Sequence, residues 1–137
     1  MSEEIDNPEK RLIEVVLRDG RYPLEAFGFL HQALARAVKA IHGDEDAAAL
    51  KRKARHVTGR QLCLALRDEA IERWGLLARD VLARWNIRGT IDFGNMVWLL
   101  VENKLMQKTP EDNLEDFRDV FRFEEAFSPD RVFEAGG

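Results

Sequence analysis

Four side chains in the sequence are of the types that carry nucleophilic or metal chemistry: Cys63, His31, His42 and His56. A catalytic cysteine requires a nearby histidine and a third group that orients it. Cys63 lies in the apolar string LCLAL, which is typical of a small buried residue. The sequence therefore predicts a structural cysteine and no nucleophilic site.

The three histidines do not have the spacing of a metal site. His31 and His42 are eleven residues apart on one predicted helix, which separates them by ~16 Å. His56 lies among basic residues, which would repel a cation. The acidic stretch near the C terminus lacks the glycine and the final glutamate of a calcium loop. With no glycine-rich phosphate loop either, the sequence predicts no catalytic, cofactor-binding or metal-binding residues.

Residues 108–127, KTPEDNLEDFRDVFRFEEAF, combine seven acidic residues with four of the chain's eight phenylalanines. A free acidic tail carries few aromatic residues, so these phenylalanines favour docking on a core with the acids facing outward. The alternative is an acidic-aromatic strip that binds a partner protein. The residues that would dock or bind are Phe117, Phe121, Phe123 and Phe127, and we expect the first two to be the main anchors.

The net charge of −4 is distributed unevenly along the chain. Residues 51–108 hold 12 basic and 6 acidic residues, whereas residues 109–137 hold 3 and 9. The string KRKARHVTGR, residues 51–60, suggests contacts with the phosphates of a nucleic acid. A solvated helix end is the competing interpretation. The candidate polyanion-binding residues are Lys51, Arg52, Lys53, Arg55 and Arg60.

Apolar spacing and capping residues indicate a mostly helical chain. Asn7 followed by Pro8 is typical of a helix start. Thr58 stands three residues before Gln61, which is the spacing of a capping box. Residues 93–101 are apolar on almost every side, which predicts a buried central helix.

Two further helices are expected in the first half of the chain. Pro23 opens a segment in which apolar residues recur every three or four positions. Residues 44–57 place acidic residues first and basic residues last, which favours a short helix because both ends suit the helix dipole.

The C-terminal region predicts strands instead. The string LMQKT reads as an edge strand, PEDN as a turn, and DFRDVFRF as a second strand, although helical spacing also fits the last string. The predicted fold is mainly α: a single compact helical domain over 1–137 with a small C-terminal β-hairpin. Helices at 58–74, 76–85 and 90–105 before a hairpin would be winged-helix-like. Residues 1–6 and 134–137 are predicted to be disordered.

Composition favours a soluble cytoplasmic protein. The chain has 137 residues, of which 45% are hydrophobic, enough for one core without disulfides. Its single cysteine suits a reducing compartment. The first ten residues are acidic and unlike a secretory signal, and no apolar run approaches the ~20 residues of a membrane span.

Four strings match in order the pattern of one protein family: RYPLEAFGFLHQAL, RHVTGRQLCLALRDEAIERWG, NIRGTIDFGNMVWLLVENKLMQKTPED and DFRDVFRFEEAF. They resemble a small uncharacterised family of planctomycete and verrucomicrobial bacteria. The resemblance covers residues 22–127, nearly the whole chain. It implies a bacterial cytosolic protein and transfers no activity, cofactor or catalytic residue.

From these patterns we expect a non-enzymatic cytosolic interaction module that binds a protein partner. The alternative is a nucleic-acid-associated or ribosome-associated regulatory protein that uses the basic segment 51–60. An enzyme is the least expected class, because no acid–base or nucleophile arrangement is visible in the sequence.

Overall fold

The computed structural model describes residues 7–43 and 56–136, which form helices, turns and one longer loop at 103–113. The α-helices, numbered along the chain, are α1 Pro8–Asp19, α2 Leu24–His42, α3 Gly59–Trp74, α4 Ala78–Arg84, α5 Thr90–Glu102, α6 Phe123–Ala126 and α7 Pro129–Gly136. Two 3-10 turns span Gly75–Leu77 and Leu114–Phe117. The helix predicted at 44–57 lies almost entirely outside the described residues.

Local capping determines where helix α1 begins and ends. The Asn7 side chain accepts hydrogen bonds from the backbone N–H of Glu9 at 3.0 Å and of Lys10 at 3.4 Å. Gly20 ends the helix with a φ of 77°, a left-handed conformation that suits glycine. The predicted helix start at Pro8 is therefore confirmed.

Helices α2 and α3 pack against each other as the main pair of the core. Thr58 Oγ1 accepts a hydrogen bond from Gln61 N at 3.1 Å, and Gln61 Oε1 accepts one from Thr58 N at 2.9 Å, so the predicted capping box is confirmed. At the solvent edge of the pair, Glu69 of α3 pairs with Arg36 of α2 at 3.2 Å. Glu69 also accepts a hydrogen bond from Arg73 Nε at 2.7 Å.

Helix α5 is the buried central helix that the sequence predicts at 93–101. Phe93 and Met96 are fully buried, and Val97, Leu99 and Leu100 are nearly so. The apolar side chains cover almost the whole circumference, so α5 can be packed on nearly every side.

The predicted C-terminal β-hairpin is wrong. No residue in 7–43 or 56–136 forms a β-strand, which also contradicts the winged-helix-like arrangement. Where the second strand was expected, the chain forms the 3-10 turn Leu114–Phe117 and then helix α6.

A side chain of α5 explains why this region needs no strand partner. Thr90 Oγ1 donates a hydrogen bond to the backbone oxygen of Phe117 at 2.6 Å, and it accepts one from the backbone N–H of Val120 at 3.1 Å. Buried backbone groups must be paired, and here a threonine hydroxyl forms the hydrogen bonds that a neighbouring strand would otherwise supply.

The last helix differs from the sequence prediction as well. Helix α7 extends to Gly136, whereas the sequence predicts disorder from residue 134. Its buried Val132 lies over Gly75, where an added Cβ would come within 3.9 Å of Val132 Cγ1. Residues 1–6, also predicted to be disordered, lie outside the described residues.

Candidate interaction groove

An open groove of about 820 Å³ lies between helix α2, the start of α3 and the loop that follows α5. Its apolar lining is mostly partly buried, and all of it except Val38 among the larger side chains belongs to the core or packs on it. Clefts of this size with an apolar lining are typical binding sites. The apolar side chains that line the groove include Leu34, Val38, Leu62, Trp98, Leu105 and Met106.

The loop after α5 turns sharply and places two of these side chains at the groove. Leu105 N donates to Leu100 O at 2.8 Å, and Lys104 N donates to Val101 O at 3.1 Å. This pair of bonds defines a Schellman motif, in which the residue after the cap is left-handed. The Arg11 side chain of α1 donates to Asn103 O at 2.6 Å and fixes the turn against the rest of the fold.

A second turn closes the far end of the same loop. The Asp112 carboxylate accepts a hydrogen bond from Thr109 N at 2.8 Å, and Asp112 N donates to Thr109 O at 3.1 Å. The Thr109 hydroxyl is buried and has no hydrogen-bond partner within the part of the chain that the structure describes. The turn is therefore held by backbone and carboxylate contacts and not by this hydroxyl.

His56 and Asp112 come together at one side of the groove, with His56 Nε2 3.5 Å from Asp112 Oδ1. His42 Nε2 lies 2.9 Å from the backbone oxygen of His56. Sequence reasoning placed His56 only among its basic neighbours and missed this pair. No sequence signal links residues so far apart, because only the tertiary fold brings the two loops that carry them together.

Three side chains of nucleophilic type, Thr58, Cys63 and Thr109, lie in capping or buried positions. Thr58 Oγ1 caps helix α3, and the Thr109 hydroxyl is buried. Burial raises the pKa of the Cys63 thiol to about 12, so this cysteine stays a protonated core residue. Among residues 7–43 and 56–136, no group of three or more His, Cys, Asp or Glu side chains could hold a metal ion.

The rim of the groove carries both cations and anions. Lys39, Lys104 and Lys108 are exposed, and none forms a salt bridge with a carboxylate of the described ranges. The two groove carboxylates form hydrogen bonds within their own loop, and Asp112 also pairs with His56. Asp112 bonds Thr109 N as above, and Asp116 accepts a hydrogen bond from a backbone N–H at 3.0 Å.

The predicted polyanion-binding segment is described only at its end. Lys51, Arg52, Lys53 and Arg55 lie outside the described residues. Arg60 is exposed in the first turn of helix α3. The nucleic-acid hypothesis thus stays a prediction.

The structure places Phe117 inside the core, 4% exposed, between two glycines. A Cβ added at Gly59 would lie 2.9 Å from Phe117 Cε2, and a Cβ added at Gly94 would lie 2.8 Å from Phe117 Cβ. The ring also meets Trp98 edge-on, with centroids 6.1 Å apart. Phe117 is also one of the residues that line the groove.

The other three phenylalanines of the acidic stretch pack on one another. Phe123 and Phe127 are buried, and their ring centroids are 5.3 Å apart. Phe121 is partly buried and stacks on Phe123 at 5.7 Å. Phe123 also contacts Phe93 of the central helix at 6.1 Å. In this conformation the buried rings are not available to a partner.

Comparisons with family models, with curated proteins and with solved structures find no match to the chain. The resemblance to a bacterial family therefore stays a prediction. Of the helices formed by the described residues, none combines the length and apolarity needed to cross a bilayer.

Proposed function

We propose that the chain is a non-enzymatic, cytoplasmic interaction module that binds an apolar segment of a partner protein in the groove. The observation that carries the proposal is the apolar floor formed by Val38, Trp98 and Met106. These side chains come from helix α2, helix α5 and the following loop, so a partner lying in the groove would contact three elements at once.

The types of side chain in the floor support protein binding. Tryptophan and methionine are enriched at the cores of protein interfaces. The flexible thioether of Met106 can adapt to side chains of different shape. An amphipathic segment would place its apolar side in such a groove, and each Å² of apolar surface removed from water contributes ~25 cal/mol.

A non-enzymatic role is supported by the hydroxyl groups of the groove. Neither Thr58 nor Thr109 is hydrogen-bonded to His56 in the described part of the chain, so no activated nucleophile is assembled there. The cytoplasmic location rests on the single cysteine, which leaves no disulfide within the chain.

Selection from a displayed library of random peptides, each of about 15 residues or roughly four helical turns, tests the proposal. Ala35 is an exposed groove residue on α2, and Ala40 is an exposed residue of the same helix outside the groove. Peptides selected on the wild-type protein should bind Ala35→Gln about tenfold more weakly, because an amide would be buried unpaired against apolar side chains. They should bind Ala40→Gln, the matched control, as tightly as the wild type.

Two kinds of result would overturn the proposal. One is a selection that yields no binders, or binders that do not distinguish Ala35→Gln from the wild type. The other is a different occupant of the groove. Self-association in sedimentation experiments that Ala35→Gln abolishes would assign the groove to a second copy. Peptide binding that appears only after residues 44–55 are replaced by a Gly/Ser linker would assign it to the chain itself.

A further inference from the structure

Within the described residues no salt bridge joins the lysines of the groove rim to a carboxylate, although Asp112 and Asp116 also line the groove. Lys39 lies on helix α2, whereas Lys104 and Lys108 lie on the opposite loop. The two sides of the groove therefore carry ammonium groups above an apolar floor, and the Lys108 ammonium donates a hydrogen bond to the backbone oxygen of Thr109 at 3.3 Å. The carboxylates of Asp112 and Asp116 accept hydrogen bonds from the backbone of their own loop, and Asp112 also lies 3.5 Å from His56 Nε2.

Lys104 holds a backbone conformation that a lysine rarely adopts. Its φ is 60°, in the left-handed region, at the position of the Schellman motif where glycine is usual. The comparable turn after helix α4 uses Asn86, with a φ of 66°, and asparagine tolerates this region well. At the end of helix α1 the left-handed residue is Gly20. A lysine at position 104 costs backbone strain and places an ammonium group on the rim.

We infer that the partner segment is acidic: it presents aspartate or glutamate side chains beside the apolar side chains that enter the groove. Lys104 is then a specificity-determining residue, assisted by Lys39 and Lys108. This inference rests on the proposed function, since it names the chemistry of the partner in the same groove. Complementary charges at an interface rim act chiefly on partner choice and association rate.

The test repeats the peptide selection on a variant that lacks the three lysines of the rim. The variant is Lys39→Gln/Lys104→Gly/Lys108→Gln, in which glycine suits the left-handed backbone at position 104. The matched control is Lys10→Gln, a change of an exposed lysine on α1 that does not line the groove. Asp and Glu should be enriched over the starting library among peptides selected on the wild type and on Lys10→Gln, and the enrichment should disappear on the triple variant.

For a single acidic peptide, each rim lysine should contribute about two- to fivefold in affinity, and binding should weaken as salt is raised. The Lys104→Gly change alone should lower affinity while leaving the melting temperature equal or higher.

Each possible outcome bears on a different claim. Peptides that need the groove, as judged by Ala35→Gln, but show no Asp or Glu enrichment overturn the acidic partner and leave the proposed function standing. A selection without any groove-dependent peptide overturns the proposed function itself. The wild-type enrichment alone is sufficient for this decision, so the inference can be rejected even if the triple variant does not fold.

Discussion

The ring of Phe117 lies directly on Gly94, so closely that a Cβ at position 94 would come within 2.8 Å of Phe117 Cβ and Cγ. Real Cβ atoms do not approach other carbons this closely. The contact joins the acidic C-terminal region to the central helix α5, and it needs a residue without a side chain at position 94.

Gly94→Ala should therefore lower the free energy of unfolding by about 1–3 kcal/mol, because overpacking a close contact costs more than the gain in helix propensity. Gly28→Ala is the matched control, since Gly28 is also in a helix and has no atoms within 4 Å of an added Cβ. Gly28→Ala should raise the free energy of unfolding by about 0.5–1 kcal/mol. Urea unfolding of both variants gives the comparison, and equal effects would contradict the packing of Phe117 described above.

Thr90→Val should destabilise the protein by about 1–3 kcal/mol. The change leaves the backbone oxygen of Phe117 and the N–H of Val120 without their hydroxyl partner in a buried site. Thr90→Ser retains the hydroxyl and should keep most of the stability. If thermal unfolding ranks serine as low as valine, the hydroxyl does not stabilise this region.

Tyr22 should titrate far above an ordinary phenol. Burial, and then the hydrogen bond to Asp92 at 2.7 Å, raise the pKa of Tyr22 to about 12. Because the pKa of Tyr22 is higher in the folded state than the unfolded value of ~10, the stability that Tyr22 contributes is complete below pH ~10. It is lost as the pH rises toward 12. Tyr22 is the chain's one tyrosine, so phenolate absorbance reports on it alone.

Tyr22→Phe provides the comparison for this pH dependence. It should cost about 1–3 kcal/mol at neutral pH, because Asp92 loses a hydrogen-bond donor. The stability difference between the variant and the wild type should shrink above pH ~10. A folded-state phenol that titrates near pH 10 would be incompatible with a buried, hydrogen-bonded Tyr22.

Glu69 should contribute stability that is lost in acid. Burial alone would raise the pKa of Glu69, but hydrogen bonds from Arg73 and Arg36 outweigh it and hold the pKa below the usual range. Because the pKa of Glu69 is lower in the folded state than the unfolded value of ~4.3, Glu69 stabilises the fold fully above pH ~4.3. This contribution is lost as the pH falls through the folded-state pKa. Both arginines are more than a third exposed, so solvent screening limits the effect to about 1 kcal/mol or less.

The Glu69→Gln variant should therefore be less stable than the wild type at neutral pH and equal to it near pH ~3. Thermal unfolding across this range measures the difference. The double change Arg36→Gln/Arg73→Gln should cost more than Glu69→Gln at neutral pH, because it also removes the Arg36–Glu72 pair and the contacts of Arg73 with the rings of Phe29 and Trp74. If Glu69→Gln remains less stable than the wild type in acid, Glu69 stabilises the fold by packing and not by its charge.

Local signals in the sequence predicted the helix starts well. Asn7 and Pro8, and Thr58 with Gln61, act on backbone groups within one helical turn of themselves, so their effect does not depend on the rest of the fold. The all-round apolar pattern at 93–101 predicted the buried helix for a similar reason, because no solvated face was available to it.

The C-terminal region shows where this local reasoning fails. Periodicity left strand and helix both open there, and the choice of a hairpin was wrong. Thr90, remote in sequence, supplies the hydrogen bonds that replace a strand partner. Gly59 and Gly94, on two different helices, provide the space that Phe117 fills. Neither relationship can be seen in the local sequence.

The sequence by itself determined the mostly helical character, the caps of α1 and α3, and the apolar content of the core, since these depend on neighbouring residues and composition. Only the tertiary structure decided the form of the C-terminal region, the pairing of His56 with Asp112 and the existence of the groove. The groove is made of residues from α2, α3, α5 and the following loop. A concave surface is a property of how helices pack, and the side chains that line it have no common pattern along the chain.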